Sequence, residues 1–155
     1  MKEITAKIHR LLIARGKTLS VAESCTGGML SSLLTKLSGS SEYFKLGVVA
    51  YSNKSKTSVL GIAAAKLRKN GAVSEPVAMA MAESVRKISQ TDFGIGITGI
   101  AGPTGATPHK PVGTVFIAIT TKNTTICERR HFNGNRSTMR KKSVMAALQL
   151  LKKIL

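Results

Sequence analysis

The sequence predicts a three-layer α/β/α sandwich built on a mixed, mostly parallel sheet. Three observations carry that reading. Segments with helical spacing of apolar residues alternate with short apolar runs, the pattern of an α/β fold. Lys45–Ser52 (KLGVVAYS) is apolar through its centre, as expected for a strand covered on both faces. The last two runs, Gly113–Thr120 and Thr124–Phe132, have Lys122-Asn123 between them and so predict an antiparallel hairpin.

Each element follows from its own pattern. Ile4, Ile8, Leu11 and Leu12 recur at helical spacing, predicting an amphipathic helix that stops near Gly16. Thr18–Ala22 (TLSVA) reads as a short buried strand. Thr26–Leu37 reads as a helix with Met29, Leu33, Leu34 and Leu37 inward, ended by Gly39 and followed by a polar loop through Glu42. After the Lys45–Ser52 strand, Asn53 is placed to cap a short helix running to Leu60, and Ala63–Lys69 forms a further helical turn. Ser74 opens a longer helix with Glu75 and Pro76 in its first turn and Val77, Met81, Val85 and Ile88 on one face. Asp92–Thr98 (DFGIGIT) is a third strand, and Gly99–Pro111 is a loop rich in glycine and proline. Ser137–Leu155 closes the chain as a helix with Val144, Leu148, Leu151 and Leu155 inward.

Composition narrows the function. The 155 residues read as one domain, and 43% hydrophobic content is that of a globular chain. No apolar run reaches the length of a membrane span, and the N-terminus is not a secretory signal. Cys25 and Cys127 form no CxxC or disulfide pattern, so a reduced, cytoplasmic setting is expected. His9, His109 and His131 lie far apart and there are only 7 acidic residues, which argues against a metal centre. The formal charge of +17 would attract a polyanion or a phosphate-bearing substrate. Yet the basic residues are scattered over every helix, and aromatic content is 4% without tryptophan, so nucleic acid is not the expected partner.

Three segments that follow strand ends carry the candidate chemistry: Ala22–Gly28 (AESCTGG), Tyr51–Lys56 (YSNKSK) and Thr98–Gly105 (TGIAGPTG). Ligands of open α/β sheets bind beyond the carboxyl ends of the strands, so these segments are expected to converge at one rim. Ser24 lies at the turn between the first strand and its helix, where free N–H groups and a helix dipole favour developing negative charge. A serine nucleophile needs a base. No histidine lies in these segments, whereas Lys56 would serve if burial kept its amine neutral. Tyr51 is placed to pass on a proton or to hold the lysine. Taken singly, Lys56 reads rather as a solvated helix lysine, Ser24 as a strand-end or N-cap hydroxyl and Tyr51 as a packed strand-end ring. Gly27 and Gly28 in a helix's first turns imply close backbone approach, positive φ or tight packing. Gly94-x-Gly96-x-x-Gly99 spells a dinucleotide fingerprint but lies inside a strand, the wrong context for it.

Together these segments, with LGI, GAVSE and KPVGTV, resemble the CinA carboxy-terminal family, whose characterised members are nicotinamide-nucleotide amidases. The resemblance runs from about Ile4 to the final helix. It implies a three-layer α/β/α fold and hydrolysis of nicotinamide mononucleotide to nicotinate mononucleotide and ammonia, with no metal or organic cofactor. It also implies Ser24 as nucleophile, Lys56 as base, Tyr51 as their companion, and Ser41 and Thr98 near the substrate. Backbone N–H groups around Thr26, Gly27 and Gly28, or at Thr98 and Gly99, would hold the oxyanion, and Arg136 or Arg140 the phosphate. The sequence departs from the family pattern at Asn135 (usually aspartate), Ala106 (commonly glycine) and Lys54 (often glutamate). Two rivals keep parts of this reading: a basic accessory protein linked to competence or DNA, and an amidase for another small amide. A homo-oligomer would follow if the apolar stripes of the first and last helices were exposed.

Overall fold

The computed structural model describes all 155 residues. Five strands form one mixed sheet: β1 (Leu19–Glu23), β2 (Phe44–Val49), β3 (Phe93–Gly99), β4 (Thr114–Thr120) and β5 (Thr125–His131). Their order is β2-β1-β3-β4-β5, with β1 parallel to both β2 and β3 and the β3–β4 and β4–β5 pairs antiparallel. β4 alone therefore runs against the others, and the expected hairpin is β4–β5.

Helices cover both faces. α1 (Lys2–Ala14), α2 (Met29–Leu34) and the final helix lie on one side, where Ile8, Leu12, Leu30, Val144 and Leu148 pack against Val21, Ile95, Ile97 and Ile117. α3 (Asn53–Ser58), α4 (Ala64–Asn70) and α5 (Glu75–Ser89) lie on the other, where Val77, Met81 and Val85 pack with Ala22, Leu60 and Leu67. The final helix, α6, spans Arg136–Ile154. No helix is long and apolar enough to cross a membrane. The apolar stripes of α1 and α6 are core: Ile8, Leu12, Val144, Leu148 and Leu151 are fully buried.

The Gly94 and Gly96 pair of the fingerprint-like run serves packing. A Cβ at Gly96 would meet the Ala78 carbonyl and lie 2.7 Å from the Ala82 nitrogen, so the missing side chains let α5 rest directly on β3.

Several boundaries differ from the sequence reading. β2 is an edge strand with alternating exposure, and Val49 is half-exposed, so its apolar centre does not mark coverage on both faces. The helix expected over 26–37 is only Met29–Leu34; of the expected stripe Leu34 is buried and Met29 and Leu33 pack partly buried against the core, where Leu30 joins them. Gly27 and Gly28 have φ of +58° and +89°, conformations that turn the chain before the helix begins. Gly39 does not end that helix; it precedes a short 3-10 turn over Ser40–Glu42. Ile88, expected on the inner face of α5, is exposed.

Candidate active site

β1 is buried at all five positions, and its alternation decides where the functional groups point. Glu23 faces the α1–α2–α6 side. Ser24, one residue on, faces the α3–α5 side, with its N–H held by the Ile97 carbonyl at 2.9 Å. A capping box between Ser52 and Ser55 starts α3 just beyond the end of β2. That start places Lys56 under the rim of the sheet, with 1% of its surface exposed.

The Lys56 amine lies 3.0 Å from the Ser24 hydroxyl and donates to the Ala50 carbonyl at 2.8 Å. No carboxylate pairs with it; the ion pairs of the chain are Lys17–Asp92, Arg130–Glu128 and Lys153–Glu128. Burial pushes the lysine below its usual pKa of 10.5, only partly opposed by the neighbouring Cys25. A buried, unpaired amine in hydrogen-bond reach of a serine has the chemistry a general base for that serine needs. Cys25 does not compete as a nucleophile, because desolvation raises its thiol to about 12.

A cleft of about 290 Å3 opens over this pair, lined by Ser24, Tyr51, Lys56, Thr98, Gly99, the Ile100–Gly105 loop and Arg136, with no acidic residue among its walls. The three segments expected to converge do so. Arg136 spans the cleft mouth, donating to the Gly102 carbonyl at 2.9 Å and to the Tyr51 hydroxyl. Its guanidinium thus has only neutral acceptors and keeps its positive charge uncompensated.

Four expected placements are corrected, while Thr98 keeps its place beside the cleft. Tyr51 is 56% exposed and its hydroxyl bonds Arg136, so it does not hold the lysine; the Ala50 carbonyl does. Thr98 lines the cleft, but its hydroxyl donates to the Ala72 carbonyl at 2.8 Å and fastens the loop before α5. Arg140 stays out of the cleft: its Nε and Nη2 both donate to the Thr26 carbonyl, at 3.1 and 2.7 Å. Ser41 is exposed in the turn before β2, at the opposite end of that strand from Ala50 and Lys56. Gly27 and Gly28 do not present an oxyanion site, because Gly27 N–H donates to the Ser24 carbonyl and Gly28 N–H to Glu23.

Asn135, where the family usually has aspartate, caps α6 by accepting from Thr138 N–H at 2.9 Å. Lys54 and Ala106 are exposed, and neither lines the cleft. Glu23, which sequence reasoning passed over, is completely buried and anchors the chain after Ser24. The signal was present: a carboxylate directly after a strand read as buried must find donors.

Fold and site together define a three-layer α/β protein with a serine–lysine pair at the carboxyl rim of its parallel strands. The chain belongs to the CinA family: the CinA C-terminal domain matches over residues 1–155. It is 52% identical over 146 residues to a CinA-like protein of Thermotoga neapolitana, covering 94% of this chain and 36% of that one. A CinA-like protein of Syntrophus aciditrophicus is 50% identical over 149 residues, covering 96% of this chain and 36% of that one. The chain thus spans little more than a third of the length of these curated relatives. Among solved structures, the competence damage-inducible protein A of Klebsiella pneumoniae superposes with a TM-score of 0.95 at 36% identity, covering 99% of this chain and 96% of that one. The competence/damage inducible protein CihA of Agrobacterium tumefaciens gives 0.94 at 35%, covering 98% and 93%.

Proposed function

We propose that the chain is an amidohydrolase that converts nicotinamide mononucleotide to nicotinate mononucleotide and ammonia through a Ser24 acyl-enzyme. The observation that carries this reading is the 3.0 Å contact between the buried Lys56 amine and the Ser24 hydroxyl. Neutral Lys56 takes the hydroxyl proton as the Ser24 oxygen attacks the carboxamide carbon. The C–N bond then breaks and ammonia leaves with the proton returned from Lys56. Water attacks the resulting ester, gives a proton to Lys56, and frees the carboxylate as Ser24 recovers its hydrogen. No step calls for a metal or an organic cofactor.

Two backbone groups are suited to the oxyanion. Cys25 N–H, on the residue after the nucleophile, donates to no carbonyl, and Cys25 lines the cleft. Strand alternation turns Gly99 N–H toward β1, the side on which the Ile97 carbonyl holds Ser24. The substrate's phosphate pairs with Arg136, whose charge has no carboxylate to satisfy it, and with the Thr104 and Gly105 N–H groups, which have no protein acceptor.

The test is ammonia release from nicotinamide mononucleotide by the purified chain, with Ser24→Ala as control. Turnover lost in the variant supports the reading, and equal turnover overturns it. The charge of +17 favours one alternative, a basic accessory protein that binds a polyanion. That alternative requires strongly salt-dependent DNA binding without ammonia release.

A further inference from the structure

Glu23 makes no contact with the cleft, yet it is the most heavily bonded side chain next to the nucleophile. Its carboxylate accepts from Gly28 N–H and Leu30 N–H at 3.1 Å, from Ser31 N–H at 2.8 Å and from the Ser31 hydroxyl at 2.7 Å. These donors lie in the turn and first residues of α2, the segment that receives the chain after Ser24. The backbone of the same residue works in the other direction. Its carbonyl accepts Ala50 N–H at 2.8 Å, and the Ala50 carbonyl in turn accepts the Lys56 amine at 2.8 Å. Glu23 thereby stands between the two members of the dyad, fixing the exit from Ser24 with its side chain and the anchor of Lys56 with its main chain.

We propose that Glu23 is a positioning residue, whose carboxylate sets the reactive placement of the Ser24 hydroxyl by gripping the Gly28–Ser31 backbone. Four donors converge on a group that only accepts, inside a site closed to water, so few other arrangements satisfy them. Arg140 holds the intervening Thr26 carbonyl from α6, so the Ser24–Gly28 turn is fixed from two sides. A serine freed to wander by about 1 Å loses on the order of 100-fold in rate, which is the scale on which such a grip matters.

The inference rests on Ser24 being a nucleophile, and its test separates it from the choice of substrate. Ser24 in the full chain is labelled with a fluorophosphonate, and turnover of nicotinamide mononucleotide is measured beside it. In Glu23→Gln the amide keeps the shape but turns a donor toward N–H groups. Labelling is expected to slow by about 10- to 100-fold in folded protein, with kcat falling in parallel and KM within about twofold of the parent. Ser31→Ala removes one of the four bonds and should give a smaller loss in the same direction, without unfolding. Wild-type labelling rates in folded Glu23→Gln overturn the proposal. If Glu23→Gln does not fold, an unchanged rate in Ser31→Ala overturns it. A parent that labels at Ser24 but releases no ammonia would sink the amidase reading and leave this inference standing.

Discussion

The Lys56 amine and the Ala50 carbonyl meet at 2.8 Å, and that contact determines what the lysine can do. One hydrogen of the amine is held by main chain from the end of β2, which aims the nitrogen at Ser24. In the neutral state the remaining lone pair faces the serine hydroxyl, and the hydroxyl donates. In the proposed mechanism the carbonyl replaces the third side chain that orients the base in many hydrolases. It also accounts for Tyr51 being free to serve the cleft mouth.

A base that must be neutral makes activity rise with pH. Burial lowers the Lys56 pKa from 10.5, so kcat should rise with pH along a single acid limb whose midpoint lies below 10.5. Stability follows the same proton. The unfolded chain binds it more tightly, so stability should rise with pH between the folded pKa and 10.5, and the penalty is fully present below both. Lys56→Met should abolish ammonia release and raise the melting temperature at neutral pH, because a buried amine without a carboxylate has been removed. Thermal melts across pH read both effects. A lower melting temperature in the variant contradicts the account.

Arg136 and Tyr51 should act on binding before chemistry. Arg136→Ala is expected to raise KM for nicotinamide mononucleotide by about 10- to 100-fold, the worth of hydrogen bonds to a charged group, and to leave the phosphate-free riboside unaffected. Tyr51→Phe removes only the hydroxyl that bonds Arg136, so its effect should fall mainly on KM. A collapse of kcat in Tyr51→Phe with KM unchanged would restore a proton-transfer role to the tyrosine.

The layers of the fold were legible because periodicity reports burial, and burial is what layers are. The Ser24–Lys56 pair was legible for a different reason: each follows a parallel strand, and parallel strands end at one rim. What escaped the sequence was the use of the basic residues. With 24 lysines and arginines and 7 acidic residues, carboxylates are scarce, and the cations cap main-chain oxygens instead. Arg129 holds the His109 carbonyl, Arg136 that of Gly102, Arg140 that of Thr26 and Lys110 that of Asn70. Both arginines fasten a carbonyl, and spacing cannot tell that only Arg136 does so at the cleft, which is why Arg136 and Arg140 looked alike. The edge position of β2 was equally hidden, because apolar content at a strand's centre does not report which neighbours it has.

The contact between α5 and β3 predicts a sharp size limit. Gly96→Ala should destabilise the protein by about 1–3 kcal/mol, since its Cβ would meet the Ala78 carbonyl and lie 2.7 Å from the Ala82 nitrogen. Gly61→Ala, where a Cβ would meet nothing within 4 Å, bears only the strain of φ +65° and should cost less. Denaturant unfolding of the two variants gives the comparison. Equal losses would mean that α5 can lift from the sheet without cost.

An acyl-enzyme can be intercepted by nucleophiles other than water. Hydroxylamine added during turnover should attack the Ser24 ester, forming a C–N bond to the acyl carbon as the C–O bond to serine breaks. The products are a nicotinohydroxamate mononucleotide and regenerated serine, with Lys56 carrying the proton between them. Where breakdown of the ester limits the rate, total turnover should rise with hydroxylamine while the yield of nicotinate mononucleotide falls. Where its formation limits the rate, turnover should stay constant and only the products divide. Mass spectrometry of the products separates these cases, and the Ser24→Ala variant should give neither. Hydroxamate absent at every hydroxylamine concentration, while nicotinate forms normally, would point to direct attack of water on the amide. Lys56 would then deprotonate that water, and Ser24 would serve only to hold it.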